Sequence, residues 1–250
     1  MGSEMCIRDS NNIYSIISDG YGGLWVASLE YLLHFDIDKR NFTIVDVDED
    51  GHKLQQYNRL LFCDSKKRIW AGGEMGISVF NQVGTSLLPN TDFQIASVLK
   101  QAFVNCFYET SSGYLWIGTR NGLFALKESD KQFLQYTTEN GLPSNVIYGI
   151  LEDAYGRLWI STNQGLSCLN PESGKFRNFT IMDGLQGNQF NAGAYCRKDN
   201  GYMLFGGVNG ITSFRPETLI DNPYAPKPVI NKLFVHNKEA VSYTHLRAHE

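Results

Sequence analysis

Four tryptophans recur at nearly constant spacing along the 250-residue chain, and this period constrains the fold more than any other feature. They are Trp25, Trp70, Trp116 and Trp159, at intervals of 45, 46 and 43 residues. Each follows Leu in a similar frame, or Ile in the second copy; the third copy is ETSSGYLWIGTRNGLFAL and the fourth is EDAYGRLWISTNQGLSCL. A fifth copy, RKDNGYMLFGGVNGITSF, carries Leu204 in the tryptophan position. Self-similarity at a fixed period of this length indicates a repeat protein.

A single repeat predicts four short antiparallel strands. In the fourth copy, VIYGILED (146–153), LWIST, LSCLN and KFRNFT (175–180) have strand composition, and the turns AYGR, NQG and PESG separate them. The first two strands are apolar on both faces, so each sheet must pack against a neighbour on either side. Four-stranded units of this length close radially as blades of a β-propeller. A linear solenoid is the weaker alternative, because solenoid repeats of this length are usually helical.

The sequence therefore predicts an all-β propeller fragment: an open arc of about five four-stranded blades whose last blade lacks its outer strand. The stretch RPETLIDNPYAPKPV follows the third strand of the last copy and is no strand, so we expect that outer strand in preceding sequence. VINKLFV (229–235) alternates like a strand and begins a new element. Both ends fit neither the period nor the turn chemistry and are expected to be a non-native leader and tail. The expected segments are the leader 1–10, blades at about 11–57, 58–101, 102–145, 146–189 and 190–220, the linker and next domain 221–240, and the tail 241–250.

Composition excludes several classes of function. The formal charge is −4 with acids and bases interleaved, which gives no electrostatic footprint for nucleic acid. No apolar run approaches the length of about 18 residues that a membrane span needs. The histidines His34, His52 and His236 are too scattered for a metal site or a catalytic dyad. We therefore expect no metal, no cofactor and no catalytic residue in this chain.

The cysteines are expected to be small buried apolar residues. They have no CxxC spacing and occupy different positions in the repeat, which argues against a disulfide framework. Outside the leader, which contains Cys6, they are Cys63, Cys106, Cys168 and Cys196.

The repeated residues have structural roles in this interpretation. The four indoles, and Leu204 in the fifth copy, are expected to fill the wedge between adjacent blades. The acids that end the first strand, Asp19, Asp64 and Asp153, are expected to accept backbone N–H bonds in the following turn. Glu152 and Asp153 are not expected to act as a catalytic pair, because neighbours on a strand point to opposite faces.

Strand order predicts where a ligand would bind. The loop that leads into strand 1 and the turn from strand 2 to strand 3 open on the same face, which we name the upper face. Its amides and guanidinium offer donors and acceptors that suit sugar hydroxyls, although Asn is also a turn former that can serve only the backbone. Arg120 is the best single candidate. The full set of candidate ligand-binding residues is Glu74, Arg120, Asn121, Asn145, Asn163, Gln164, Asn188, Gln189 and Asn209.

The frame D-x-x-G-x-L-W-I-G-T-x-x-G-L, preceded by G-L-P-S-N, resembles the two-component regulator propeller repeat. ENGLPSN (139–145) and GYLWIGTRNGL (113–123) match it closely, and the resemblance covers roughly residues 11–240. DNPYAPKPVINKLFVHNKE resembles the start of the triple-tyrosine Ig-like domain that follows such propellers. Three positions depart from the frame and put local turn geometry in doubt: Tyr31 replaces the loop glycine, and Thr110 and Lys198 replace the turn Asp.

The resemblance implies the periplasmic sensor of a Bacteroidetes hybrid two-component system. Such sensors detect oligosaccharides from glycans and switch on polysaccharide-utilisation genes. The partners it implies are an oligosaccharide and a second copy in a homodimer formed through the full sensor, with membrane contact only through a downstream helix and no contact with nucleic acid. The fragment itself is then not an enzyme, although the full-length protein is a histidine kinase. Two alternatives stay open: a propeller-fold polysaccharide lyase or glycosidase, and a non-catalytic protein-interaction propeller.

Overall fold

The computed structural model describes residues 12–28, 31–45, 58–74, 76–90, 99, 101–127, 132–219, 233–235 and 238–240. The expected leader, the expected tail and residues 220–232 lie outside these ranges. The chain divides into two compact units, Met1–Pro216 and Glu217–Glu250. Within the described ranges, no helix is long and apolar enough to cross a membrane.

The first unit contains five antiparallel sheets, each a meander in which neighbouring strands follow one another along the chain. Blade 1 contains β1 (Ile13–Ser18), β2 (Gly23–Ser28), β3 (Leu32–Asp36) and β4 (Asn41–Ile44). Blade 2 contains β5 (Asn58–Cys63), β6 (Arg68–Gly73), β7 (Gly76–Val83) and β8 (Ser86–Pro89). Blade 3 contains β9 (Val104–Glu109), β10 (Leu115–Thr119), β11 (Gly122–Lys127) and β12 (Gln132–Tyr136). Blade 4 contains β13 (Ile147–Glu152), β14 (Leu158–Thr162), β15 (Gly165–Asn170) and β16 (Lys175–Phe179). Blade 5 contains β17 (Phe190–Arg197), β18 (Met203–Gly207) and β19 (Gly210–Phe214).

The all-β propeller prediction is confirmed. Blade 5 has three strands in the part of the chain that the structure describes, where the other four blades have four. The second unit contains a hairpin of β20 (Leu233–Val235) and β21 (Lys238–Ala240). Of the strand expected at 229–235, the structure describes Leu233–Val235, and residues 229–232 lie outside the described ranges.

Each tryptophan packs between two successive blades, as the period predicted. Trp25 lies in a cluster with Leu61 and Ile69 of blade 2, and Trp70 lies against Phe107 of blade 3. The four indoles are between 0% and 2% exposed, so each interface buries one complete large side chain. Burying a side chain of this size contributes roughly 2–3 kcal/mol. Leu204 occupies the matching position in β18 and is half-buried.

The cysteine prediction holds for two positions and is wrong for one. Cys106 and Cys168 are buried, and burial raises the pKa of the Cys106 thiol to about 12. Cys63 is half-buried, whereas Cys196 in β17 is exposed. Cys196 differs because β17 belongs to the last blade, and much of this strand is not covered by another sheet. All four thiols are free of disulfide bonds.

Candidate ligand-binding face

The loops and turns of the upper face meet as strand order predicts. The Gly122 N–H, at the start of β11, donates to the Asn145 carbonyl in the loop leading into β13 (2.8 Å). The Gly165 N–H makes the same contact with the Asn188 carbonyl one blade later (2.6 Å). These two turns of the upper face are therefore fastened to the leading loops of the next blades, which gives this part of the face a rigid frame.

Asn145 and Asn188 hold this frame together with their side chains as well. Their Oδ1 atoms accept the N–H groups of Thr138 and Ile181, both at 2.9 Å. Those two residues open the short 3-10 turns Thr138–Asn140 and Ile181–Asp183, which precede the leading loops. The amide oxygens thus serve the backbone, and a ligand contact by either residue stays a prediction.

Arg120 is presented outward on a fixed support. Its guanidinium lies over the Phe103 ring, 3.6 Å from the ring centroid, and its backbone N–H donates to the Phe103 carbonyl (3.0 Å). The hydroxyl of Thr119 donates to the Gly122 carbonyl and accepts the Asn121 N–H, which closes the turn. The stacking leaves a cation that is exposed and restricted in orientation.

Asn163 occupies the position of Arg120 in the equivalent turn of blade 4. The Thr162 hydroxyl closes this turn by the same two bonds, to the Gly165 carbonyl and from the Gln164 N–H. The Oδ1 of Asn163 is buried and accepts no hydrogen bond from the described residues. Gln164 is exposed beside it. The turn therefore contains a buried acceptor that no described residue supplies with a donor.

The remaining candidates are spread along the face, and each has a partner or a neighbour that the sequence did not reveal. Glu74 forms an ion pair with Arg59 (2.6 Å). In blade 5, Gln186 accepts the Asn209 N–H (2.8 Å) and donates to the Gln189 carbonyl (3.1 Å). Arg59 and Phe103 were missed because they lie outside the turn motifs. Gln186 lies in the loop that leads into β17, but no spacing pattern distinguished it from its neighbours.

On the opposite face, which we name the lower face, the turn acids satisfy both the backbone and the indoles. Asp153 Oδ1 accepts the N–H groups of Tyr155 and Arg157, and its Oδ2 accepts Arg157 Nε (2.7 Å) and Trp159 Nε1 (3.0 Å). Asp64 repeats this pattern with Trp70 Nε1 at 2.8 Å. The predicted turn role is confirmed, and the bond to the indole is an addition that strand periodicity alone does not reveal.

Blade 1 uses the same carboxylate differently. Asp19 Oδ2 contacts Nε2 of His34 at 2.7 Å, and Asp19 Oδ1 accepts the N–H groups of Tyr21 and Gly23. Burial alone would raise the pKa of Asp19, but the bonds from His34 and from the two amides outweigh it and hold the pKa below its usual value. His34 also stacks on Trp25, with 4.6 Å between ring centroids.

Blade 3 lacks the acid and leaves its indole without an acceptor. The Thr110 hydroxyl accepts the Tyr114 N–H (3.2 Å), so the turn keeps its shape. Nε1 of Trp116 is buried with no partner among the described residues. Beside it, a cavity of about 270 Å³ opens on the lower face between blades 3 and 4; we name it the blade 3–4 cleft. Its lining residues include Ser112, Tyr114, Trp116, Tyr136, Glu152 and Tyr155.

Comparisons with known proteins agree with this architecture. A family model for the two component regulator propeller matches residues 8–30, 99–121 and 141–164. Histidine kinase P4 of Formosa agariphila is 28% identical over 214 residues, which cover 82% of this chain and 15% of that protein. The chain therefore spans a small part of that relative.

Two solved structures share the fold. The extracellular domain assigned to the hybrid two component system BT3049 of B. thetaiotaomicron superposes with a TM-score of 0.73 at 23% identity, over 88% of this chain and 30% of that one. The extracellular domain assigned to the system BT4673 of the same organism gives 0.65 at 19% identity, over 81% and 27%. The strand order and these likenesses show that the chain has a β-propeller fold, and three of its segments match the two component regulator propeller model.

Proposed function

We propose that the chain is the ligand-sensing propeller of a hybrid two-component sensor kinase, located in the periplasm, and that its upper face recognises oligosaccharides released from glycans. The sensor role is supported by the regulator propeller repeats and by the likeness to extracellular domains of two component systems. The kinase part is supported by the relative named a histidine kinase, of which this chain matches a small share.

The observation that carries the ligand assignment is the matched pair of turns in blades 3 and 4. Arg120 and Asn163 occupy the same turn position, one as a supported cation and the other with a buried amide oxygen that accepts no hydrogen bond from the described residues. Guanidinium donors and amide acceptors pair well with sugar hydroxyls. Because hydrogen bonds already fix both turns, binding requires little further ordering of the protein.

Signalling needs more than binding. A ligand shifts a conformational equilibrium only by the difference between its affinities for the two states. In the proposed mechanism the oligosaccharide favours one arrangement of the propeller and the next domain within a homodimer, and the kinase output then activates polysaccharide-utilisation genes.

Calorimetric titration of the chain with a broad panel of glycan oligosaccharides tests the proposal. We expect one or more of them to bind, and Arg120→Ala to weaken that binding about tenfold or more, since bonds to a charged donor contribute about 1.5–3 kcal/mol. Lys175→Ala, an exposed lysine at the lower-face end of β16, is the matched control and should bind normally. An absence of binding across the panel would contradict the proposal, and depolymerisation of a glycan by the purified chain would favour a lyase or glycosidase.

A further inference from the structure

The blade 3–4 cleft differs from its neighbours by one missing acceptor. In blades 2 and 4 the carboxylate of the lower-face turn accepts the indole N–H, at 2.8 and 3.0 Å. Trp116 has the same register in its sheet as Trp159. Each pairs with the residue two positions before the turn acid position on the first strand, and with a small residue on the third strand. The equivalent register places its Nε1 beside the lower-face turn that carries Thr110 in place of an acid, and this atom is buried without a partner among the described residues.

The walls of the cleft have the chemistry of a sugar subsite. Tyr136 stacks on Trp116 with 5.8 Å between centroids, and Tyr114 lies 6.1 Å from the same indole. Tyr155, two-thirds exposed, adds a third ring at the mouth. Aromatic faces take the apolar C–H faces of a pyranose, while carboxylates accept its hydroxyl protons. Glu152 and Glu172 provide those carboxylates.

The volume and the charge of the cleft restrict the class of ligand that it could bind. A cavity of about 270 Å³ is below the usual range for drug-sized ligands and suits one sugar ring. The negative charges of the two glutamates repel an anionic ligand, although the indole N–H by itself could donate a hydrogen bond to an anion. A neutral ring with hydroxyl oxygens satisfies the donor without this repulsion.

We propose that the blade 3–4 cleft is a second carbohydrate subsite for a single neutral hexopyranose ring, in which a shift of the aromatic wall brings a sugar oxygen within hydrogen-bond distance of the buried Trp116 Nε1. The inference rests on the proposed function for its ligand class, but it concerns the lower face, opposite the turns of Arg120 and Asn163.

Two other places in the molecule show why this cleft is distinct. Trp25 Nε1 also has no partner among the described residues, but His34 covers that indole and takes the Asp19 oxygen. The cavity of about 200 Å³ between blades 2 and 3 also has an indole in its wall, but Trp70 there already donates to Asp64. Only between blades 3 and 4, among the described interfaces, do an unpartnered indole and a cavity coincide.

The test follows the four indole N–H signals of the 15N-labelled chain by NMR during titration with D-glucose, D-galactose and D-mannose. We expect at least one hexose to shift one indole signal, that of Trp116. Thr110→Asp supplies an internal acceptor and should abolish this response while it keeps the chain folded, since blades 2 and 4 carry Asp at that position. Thr110→Ser keeps a hydroxyl and should respond normally. The signal that Thr110→Asp moves in the absence of sugar identifies Trp116.

The outcomes separate this site from the upper face. A hexose response that survives Thr110→Asp, a response to sodium acetate alone, or no response to any hexose overturns the cleft assignment. If oligosaccharides still bind by calorimetry in those cases and Arg120→Ala weakens them, the proposed function stands without the second subsite. If the Trp116 signal responds to a hexose but Arg120→Ala does not weaken oligosaccharide binding, the cleft is supported as the sugar site and the upper-face site is contradicted.

Discussion

At the scale of single residues, the lower-face turns show how one side chain organises a blade. Asp153 fixes a turn through two backbone N–H groups, pairs with Arg157, and satisfies the buried Trp159. The sequence predicted the turn bonds from the position of the acid after a strand. It did not reveal the bond to the indole, because six residues separate the two and only the hairpin geometry brings them together.

Asp153→Ala should destabilise the chain by about 2–4 kcal/mol, since it leaves a buried indole N–H without an acceptor and opens the turn. Urea unfolding measures this as a lower midpoint at an unchanged slope. Asp199→Ala is the control, because Asp199 is exposed in the matching turn of blade 5. Its effect should stay within about 0.5 kcal/mol; equal effects of the two changes would contradict the assigned role.

Asp19 makes stability depend on acidity. The pKa of Asp19 is held below its usual value, so its ionised form stabilises the fold above the unfolded pKa of about 4 and this contribution is lost as pH falls through the folded pKa. We expect the melting temperature to drop on acidification below pH of about 4. Asn at position 19 cannot titrate, so Asp19→Asn should have a lower melting temperature at neutral pH and a shallower decline in acid. Parallel curves for the two proteins would show that other carboxylates dominate.

At the scale of elements, adjacent blades approach most closely where their first two strands carry small residues. A Cβ on Gly72 would come within 2.9 Å of the Phe107 ring in the next blade. A Cβ on Gly149 in β13 would overlap the Tyr195 ring of β17. The outer strands face solvent over more of their length, so contact with a neighbouring blade does not restrict the size of their side chains. Glycine spacing in the sequence did not separate these packing glycines from those of the turns.

Gly149→Ala should destabilise the chain by about 1–3 kcal/mol through overpacking at the interface of blades 4 and 5. Chemical unfolding of the single change and of Gly149→Ala combined with Tyr195→Leu tests the cause. The glycine change should cost less in the Tyr195→Leu background, because the ring it would strike is gone. Additive effects would mean that the cost arises elsewhere.

At the scale of the whole propeller, the architecture could be predicted and the binding residues could not. The architecture followed from Trp25, Trp70, Trp116 and Trp159. A large apolar side chain that recurs at one position of each repeat indicates that successive sheets pack against one another there. The upper-face candidates came from turn composition, and turn residues are polar whether they bind a ligand or the backbone. The side chains of Asn145 and Asn188 accept a backbone N–H from seven residues earlier in the chain, whereas the Asn163 Oδ1 has no partner among the described residues. Turn composition does not reveal this difference.

The four interfaces should unfold together. Each inner sheet has an apolar face against both neighbours, so the loss of one blade exposes two others. Four variants that each keep one tryptophan and replace the others by Phe would report one interface apiece by fluorescence during urea unfolding. Corrected for the stability of each variant, the transitions should match the circular dichroism transition of the same variant. A fluorescence change that precedes loss of the sheet signal would mean that single blades detach independently.

Thr110 shows that one repeat of a propeller can differ from the others while the sheets keep their arrangement. The same carboxylate-to-indole bond exists in blades 2 and 4, and blade 3 keeps its turn and its place among the sheets without that bond. A fold without internal repeats needs an additional side chain to present a new hydrogen-bonding group. In a repeat protein, one repeat that lacks the shared side chain leaves such a group unpaired, and the other repeats show which bond that side chain would make.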